Sequence, residues 1–153
     1  MKYVNTDIVF QEIPDETTLA INISNCPCHC KGCHSSYLAE DIGTEITASV
    51  LIDLVKKNKG ITCVSMMGGD ASPLEVEYYS DLVRNIMKLK YAWYSGRQEL
   101  DKNIDISKFD YIKLGPYIEE LGGLKSLTTN QRLYKIVNGE MIDITHKFRR
   151  NGI

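Results

Sequence analysis

Long apolar runs are missing from this sequence of 153 residues. No stretch approaches the roughly 20 apolar residues that a membrane-spanning helix needs. The first residues, MKYVNTDIVFQEIPDE, also lack the basic region and the apolar segment of a secretory signal. We therefore expect a cytoplasmic protein that makes no contact with a membrane.

An excess of positive charge is absent as well. The chain has 18 Lys+Arg against 20 Asp+Glu, for a net charge of -2. Proteins that bind nucleic acid normally carry a basic excess or a basic stripe, so we expect no direct contact with nucleic acid. Internal repeats, low-complexity segments and long linkers are also lacking, which predicts one domain over residues 1–153.

Cysteine, by contrast, is concentrated in one place. Four of the five cysteines, Cys26, Cys28, Cys30 and Cys33, fall within eight residues, and Cys63 stands alone. Cytosolic thiols are kept reduced, and so crowded a run could hardly form two unstrained disulfides, so the pattern indicates a metal site. Cys63, inside an apolar stretch, is predicted to be a small buried side chain.

The spacing of Cys26, Cys30 and Cys33 is C-x3-C-x2-C. Three thiolates on one loop can hold three irons of a 4Fe-4S cluster and leave the fourth iron open to a small molecule. In the ferredoxin run C-x2-C-x2-C-x3-C every iron has a protein ligand, so the cluster only carries electrons. The pattern in this chain therefore favours chemistry at an open iron.

Other ligand sets stay open at this point. A zinc site could use all four thiolates, although a second C-x2-C pair, which such sites usually have, is missing. His29 or His34 could also ligate a metal. Cys28 could replace a neighbour, but we leave it out of the predicted ligand set because it would compete with Cys26 or Cys30 for the same iron.

Predicted strands and helices alternate along much of the chain. Strands are predicted at residues 19–24, 61–67, 91–95 and 109–114, with a helix that begins after Thr47 and ends before Gly60. This alternation indicates parallel strands joined by crossover helices. Near the end, Asn138-Gly139 lies between two apolar segments and predicts a β-hairpin.

A second helix is predicted from its start signal and its periodicity. Residues 72–75 (SPLE) are typical of a capping box with proline at the first helical position. Tyr78, Leu82, Ile86 and Leu89 then repeat at helical spacing. Together these features predict one helix that reaches about Lys90.

The triple-cysteine motif on the loop after a strand resembles that of the radical S-adenosylmethionine superfamily. Within it, the sequence is most similar to the activating proteins of anaerobic ribonucleoside-triphosphate reductase. The similarity covers most of the chain, although Gly68-Gly69-Asp70 replaces the superfamily's Gly-Gly-Glu. The segments that carry it are residues 30–35 (CKGCHS), 68–70 (GGD), 94–97 (YSGR), 109–117 (FDYIKLGPY), 129–132 (TNQR) and 143–145 (DIT).

The resemblance implies an activating oxidoreductase with two cofactors, a 4Fe-4S cluster held by Cys26, Cys30 and Cys33, and S-adenosylmethionine at the open iron. Its implied activity is cleavage of S-adenosylmethionine to a 5'-deoxyadenosyl radical, which abstracts a glycine Cα hydrogen from the reductase large subunit; no catalytic side chain is expected beyond the two cofactors. A flavodoxin- or ferredoxin-type protein is the implied electron donor. Activation of another glycyl-radical enzyme, or a non-catalytic iron-sulfur or zinc module, stays open as an alternative.

The resemblance also implies which residues bind S-adenosylmethionine. Glycines at 68 and 69 let backbone carbonyls approach the ammonium group of the methionine moiety, and Asp70 adds a negative charge. Arg97 is either a partner of the methionine carboxylate or a solvated loop charge. The full predicted set is Gly32, His34, Gly68, Gly69, Asp70, Ser95, Gly96 and Arg97.

The fold implied is an α/β incomplete parallel (β/α) barrel of the radical S-adenosylmethionine type, with a C-terminal β-hairpin. A closed barrel of eight units typically needs about 250 residues. With 153 residues, the barrel is expected to keep an open side that admits a peptide loop.

Overall fold

The computed structural model describes residues 1–28 and 36–149, and the strands among them form one mixed sheet. In chain order these strands are β1 (Lys2–Val9), β2 (Thr18–Ile23), β3 (Thr44–Glu45), β4 (Cys63–Met67), β5 (Lys90–Tyr94), β6 (Tyr111–Leu114), β7 (Arg132–Val137) and β8 (Glu140–Asp143). Their order across the sheet is β3-β1-β2-β4-β5-β6-β7-β8.

Helical structure is short in the described part of the chain. It comprises α1 (Ala48–Lys57), α2 (Pro73–Tyr78), a π-helical segment (Leu82–Ile86) and the 3-10 turns Ser36–Ala39, Ile106–Lys108 and Thr145–Arg149. None of the helices described is long and apolar enough to cross a membrane.

The predicted (β/α) barrel is wrong, because the sheet is open and mixed. β2, β4, β5 and β6 run parallel, but β1 pairs antiparallel with β2 and β7 pairs antiparallel with β6. Antiparallel strands thus border the parallel core on both sides and stop it from continuing around a barrel within the described residues. In addition, the connection from β5 to β6 carries only a 3-10 turn, where a β/α unit has a helix.

Several local predictions are confirmed. The parallel strands lie within two residues of their predicted positions, and β7 and β8 form the predicted hairpin. Asn138 and Gly139 have φ values of 51° and 78°, as a type I′ turn requires. Thr47 is the N-cap of α1, and its side chain accepts a hydrogen bond from the Val50 N–H.

The predicted second helix is shorter and differently oriented. α2 ends at Tyr78, and Ser72 is its N-cap but makes no side-chain capping hydrogen bond. Tyr78 and Ile86 are 73% and 66% exposed, whereas the buried residues are Val76, Tyr79 and Val83. Both apolar sets have helical spacing, so periodicity alone does not decide which of them faces the sheet.

Each face of the sheet has its own core. On the first face, Met66 and Trp93 pack with Leu51 of α1 and with Val76 of α2. On the second face, which α1 and α2 do not cover, the strand residues Cys63, Ala92, Tyr111 and Leu133 pack with Ile13 and Ile144 from flanking segments. Cys63 is fully buried there, as predicted.

Candidate functional site

A row of four side chains crosses the parallel strands near their carboxyl ends. The register places Asn22 of β2 beside Met67 of β4, Met67 beside Tyr94 of β5, and Tyr94 beside Lys113 of β6. Because side chains alternate between the faces of a sheet, partners in register point to the same face. All four line one cavity of about 360 Å³.

Two of the clustered cysteines, Cys26 and Cys28, line the same cavity. They follow β2 through Asn25, whose φ is 58°. The backbone N–H groups of Asn25 and Cys26 donate to the carbonyls of Glu40 and Leu38, at 2.9 and 2.8 Å. Both thiols are free and half-buried. Asn25 and Cys26 are therefore fixed at the carboxyl edge of the sheet by Leu38 and Glu40, which follow them in the chain.

Two other cavities are larger, at about 380 and 520 Å³. Among the described residues, neither is lined by a cysteine or by any other predicted site residue. The cavity beside Cys26 is the better candidate because the chemistry of its lining, rather than its size, marks it as a site.

The remaining predicted ligands, Cys30 and Cys33, lie outside the described residues, as do the predicted cofactor-binding residues Gly32 and His34. Accordingly, the part of the chain that the structure describes holds no group of three metal-ligating side chains. Of the predicted metal ligands, the structure locates Cys26.

Gly68 and Gly69 follow β4 with φ values of 109° and 92°, a region that favours glycine. Gly68 lines the cavity, and its carbonyl accepts a hydrogen bond from Trp93 Nε1 at 2.7 Å. A Cβ on Gly69 would lie 2.6 Å from Cγ2 of Val76 in α2. Gly68 thus borders the cavity, whereas the close approach at Gly69 serves the packing of α2.

Asp70 lies at the centre of a hydrogen-bond network beside the cavity and is 5% exposed. Its Oδ1 accepts from Ser95 Oγ at 2.5 Å, and its Oδ2 accepts from the Gly96 N–H at 2.8 Å. The thiol of Cys28 lies 3.7 Å from the same Oδ2 and donates to it. Ser95 Oγ in turn accepts from the Arg97 N–H at 3.1 Å. The network joins Cys28 to the loops that follow β4 and β5.

The surroundings of Cys28 keep its thiol protonated. Burial raises the pKa of Cys28 to about 12, and the negative charge of Asp70 acts in the same direction. A protonated thiol can donate a hydrogen bond to a carboxylate. This agrees with the direction of the contact between Cys28 and Asp70.

The predicted S-adenosylmethionine-binding residues are therefore only partly brought together. Gly68, Asp70 and Gly96 line the cavity with Cys26, and Ser95 supports Asp70 from beside it. Arg97 is exposed and lines a separate cavity of about 130 Å³ together with Asp70 and Ser95. The contacts of these residues with S-adenosylmethionine stay predictions.

Lys113 also lines the cavity beside Cys26, although the sequence did not predict it as a site residue. It is 7% exposed, and its Nζ donates to the carbonyls of Ser95 and Gly115 at 3.1 and 2.8 Å. It also lies 5.7 Å from the centre of the Tyr94 ring, a cation–π distance. The signal was a single lysine within the apolar strand segment YIKL.

Comparison with known families shows which kind of metal-binding domain contains the clustered cysteines. A family model of 4Fe-4S single cluster domains matches residues 17–106, which is more than half of the chain. The chain belongs to the 4Fe-4S single cluster domain family. No curated protein and no solved structure matches it significantly.

The structural arrangement fits a 4Fe-4S single cluster domain. The matched residues begin at β2, include all five cysteines and extend past β5. Cys26 presents a free thiol at a cavity large enough for further groups, and thiolates are the ligands that iron-sulfur clusters take. The family match therefore supports the predicted 4Fe-4S cluster over the four-thiolate zinc site.

Proposed function

We propose that this 4Fe-4S domain cleaves S-adenosylmethionine reductively and activates anaerobic ribonucleoside-triphosphate reductase by forming a glycyl radical on its large subunit. The observation that carries the proposal is the cavity of about 360 Å³ beside Cys26. A cluster held by Cys26 takes up part of this cavity, but the cavity extends past the cysteines to Tyr94 of β5 and Lys113 of β6. We infer that a small molecule binds in this further part, which a cluster that only carries electrons does not need.

Three thiolates, those of Cys26, Cys30 and Cys33, hold the cluster in this proposal and leave one iron open. When bound, the reduced cluster supplies one electron, which breaks the sulfonium C5'–S bond and gives methionine and a 5'-deoxyadenosyl radical. That electron comes from a flavodoxin- or ferredoxin-type donor. This chemistry would remove a hydrogen atom from a glycine Cα, giving 5'-deoxyadenosine as the product and leaving the glycyl radical on the reductase.

The chain's own residues bind and orient the sulfonium compound. Gly68 and Gly96 have no side chains that would narrow the cavity at the ends of β4 and β5. Asp70 places negative charge on the side where we propose that the methionine ammonium binds, and Lys113 places positive charge at the end of β6 for the carboxylate. The two charges lie on opposite sides of Tyr94 in the strand order, which suits a zwitterionic amino acid group.

The second face offers a route for the glycine-containing peptide. α1 and α2 do not pack on this face, and Tyr117 and Gln131 line the cavity on the side of β6. A Cβ on Gly115 would lie 2.9 Å from Cα of Gln131, so the two loops pack closely into one wall. We propose that the reductase loop approaches along this wall.

Anaerobic reconstitution tests the proposal, with Cys26→Ala and Cys63→Ala as a matched pair of variants. We expect about four irons and four sulfides per chain, with release of 5'-deoxyadenosine on reduction in the presence of S-adenosylmethionine. Cys26→Ala should lose both, since it removes a ligand. Cys63→Ala should keep both, because Cys63 is buried in the core of the second face.

Two results would count against the proposal. Stoichiometric zinc without iron would reject the cluster. A complete cluster that never cleaves S-adenosylmethionine would leave an electron carrier instead of an enzyme.

A further inference from the structure

Cys28 is the one clustered cysteine in the described residues for which the triple-cysteine motif provides no role. Its sulfur lies 3.7 Å from Oδ2 of Asp70, at the end of β4. Its side chain also lies directly over Gly96, after β5. Cys28 therefore contacts both loops that border the cavity.

The fit between Cys28 and Gly96 leaves no space for a larger residue. An ideal Cβ at position 96 would lie 2.9 Å from Sγ and 3.3 Å from Cβ of Cys28. Contacts under 3.0 Å are essentially never made by real Cβ atoms, so any side chain at this position would displace the sulfur. The Gly96 N–H meanwhile donates to the same oxygen of Asp70 at 2.8 Å.

The carboxylate of Asp70, which accepts the hydrogen bond from the Cys28 thiol, is itself held in place. Ser95 Oγ donates to its other oxygen at 2.5 Å, and Lys113 Nζ donates to the carbonyl of Ser95 at 3.1 Å. A partner fixed in this way restricts the position of the group bound to it. Through Asp70 and Ser95, Cys28 is thus linked by hydrogen bonds to the carboxyl ends of the parallel strands.

Attachment at Cys28 also restricts Cys26, which is two residues away. On its other side, Cys26 is held by its N–H, which donates to the carbonyl of Leu38 at 2.8 Å. The backbone around Cys26 is consequently fixed from both directions. This geometry suits a ligand that must stay at the edge of a cavity while the contents of the cavity change.

We propose that Cys28 is a positioning residue and not a cluster ligand: its thiol packs on Gly96 and donates to Asp70, and this contact holds Cys26 beside the cavity. The inference rests on the proposed function only in taking Cys26 as a cluster ligand. It does not require that S-adenosylmethionine is cleaved.

The test measures cluster retention in the reconstituted full-length chain, by iron content and by the rate of iron loss to an excess of chelator under anaerobic conditions. Cys28→Ala and Gly96→Ala should each bind about four irons but lose them roughly fivefold faster, because the thiol contact is removed or displaced. Cys28→Ser retains a donor of similar size and should stay within about twofold of the unmodified chain. Cys63→Ala is the control for loss of a distant thiol and should not change the rate.

Two outcomes would overturn the inference. If Cys28→Ala and Cys28→Ser both fail to assemble the cluster, as we expect for Cys26→Ala, then Cys28 is a cluster ligand. If Cys28→Ala and Gly96→Ala both lose iron at the rate of the unmodified chain, then Cys28 has no positioning role. Neither readout uses S-adenosylmethionine, so failure of the proposed function would show separately, as an intact cluster without cleavage.

Discussion

Asp70 is a buried carboxylate that accepts hydrogen bonds from three residues in two segments of the chain. Its partners are Ser95, Gly96 and Cys28. The resemblance implied that Asp70, from its place in the Gly-Gly-Asp motif, adds a negative charge beside the ammonium of S-adenosylmethionine. Ser95 and Gly96 were predicted for the same site, but their hydrogen bonds to Asp70 and the contact of Cys28 were not, because these partners lie at least 25 residues from Asp70 in the chain.

Ser95→Ala should show how much this carboxylate contributes to the fold. The substitution removes the 2.5 Å hydrogen bond to Oδ1 and leaves a buried charged group with one partner fewer, which should lower the free energy of unfolding by about 1–3 kcal/mol. Urea unfolding of the two proteins measures the difference.

Ser107→Ala is the matched control for Ser95→Ala, because Ser107 Oγ also donates to an aspartate, Asp105, at 2.7 Å, but in an exposed position. It should change the free energy of unfolding by about 0.5 kcal/mol or less. Equal effects of the two substitutions would show that the buried hydrogen bond to Asp70 stabilises the fold no more than an exposed one.

Among the secondary-structure elements, the amino ends of the parallel strands are joined by Glu16. This carboxylate is 7% exposed. It accepts hydrogen bonds from Thr62 Oγ1 at 2.6 Å, from Lys90 Nζ at 2.7 Å and from Tyr111 OH at 2.8 Å. The three donors lie at or just before the starts of β4, β5 and β6, so one side chain holds three strands in place.

Glu16 should make stability depend on pH. Burial acts to raise the pKa of Glu16, but the hydrogen bonds from Lys90, Thr62 and Tyr111 outweigh it, and the pKa is lowered from its usual 4.5. A carboxyl with a lowered pKa stabilises the fold fully above its unfolded pKa and loses this contribution as pH falls through the folded pKa. The free energy of unfolding should therefore decrease as the pH falls below about 4.5.

Glu16→Gln should reduce that pH dependence and lower the free energy of unfolding at pH 7 by about 1–3 kcal/mol. Asp41→Asn is the control, since Asp41 pairs with Lys2 at 3.5 Å in an exposed position, and it should cost at most about 1 kcal/mol. Urea unfolding at several pH values measures both. An unchanged pH profile in Glu16→Gln would contradict the account.

The sequence predicted those secondary-structure elements whose start, end or turn is set by residues close together in the chain. The turn at Asn138-Gly139 and the cap at Thr47 depend on residues close in sequence, and both were predicted. β1 was not predicted, because KYVNTDIV mixes polar and apolar residues and gains its place by pairing with β2. The buried side of α2 depends on packing against the sheet, which periodicity alone does not contain.

For the whole molecule, the alternation of elements predicted the parallel core but not its borders. β1 and β7 run antiparallel on either side of that core. The sheet is therefore open, whereas the resemblance implied a partial barrel. The predicted site residues Cys26, Gly68 and Gly96 line one cavity, and their roles in binding cofactors stay predictions. Ligands of open α/β sheets bind outside the carboxyl ends of the strands, which is where Cys26, Gly68 and Gly96 meet.

Activation of the reductase is the central claim for the molecule, and electron paramagnetic resonance tests it most directly. The reconstituted chain is reduced anaerobically with S-adenosylmethionine and mixed with the large subunit of an anaerobic ribonucleoside-triphosphate reductase from the same organism. We predict a glycyl radical signal on that subunit with the unmodified chain and with Cys63→Ala, and none with Cys26→Ala. An intact cluster that cleaves S-adenosylmethionine yet yields no glycyl radical on that subunit would contradict the account.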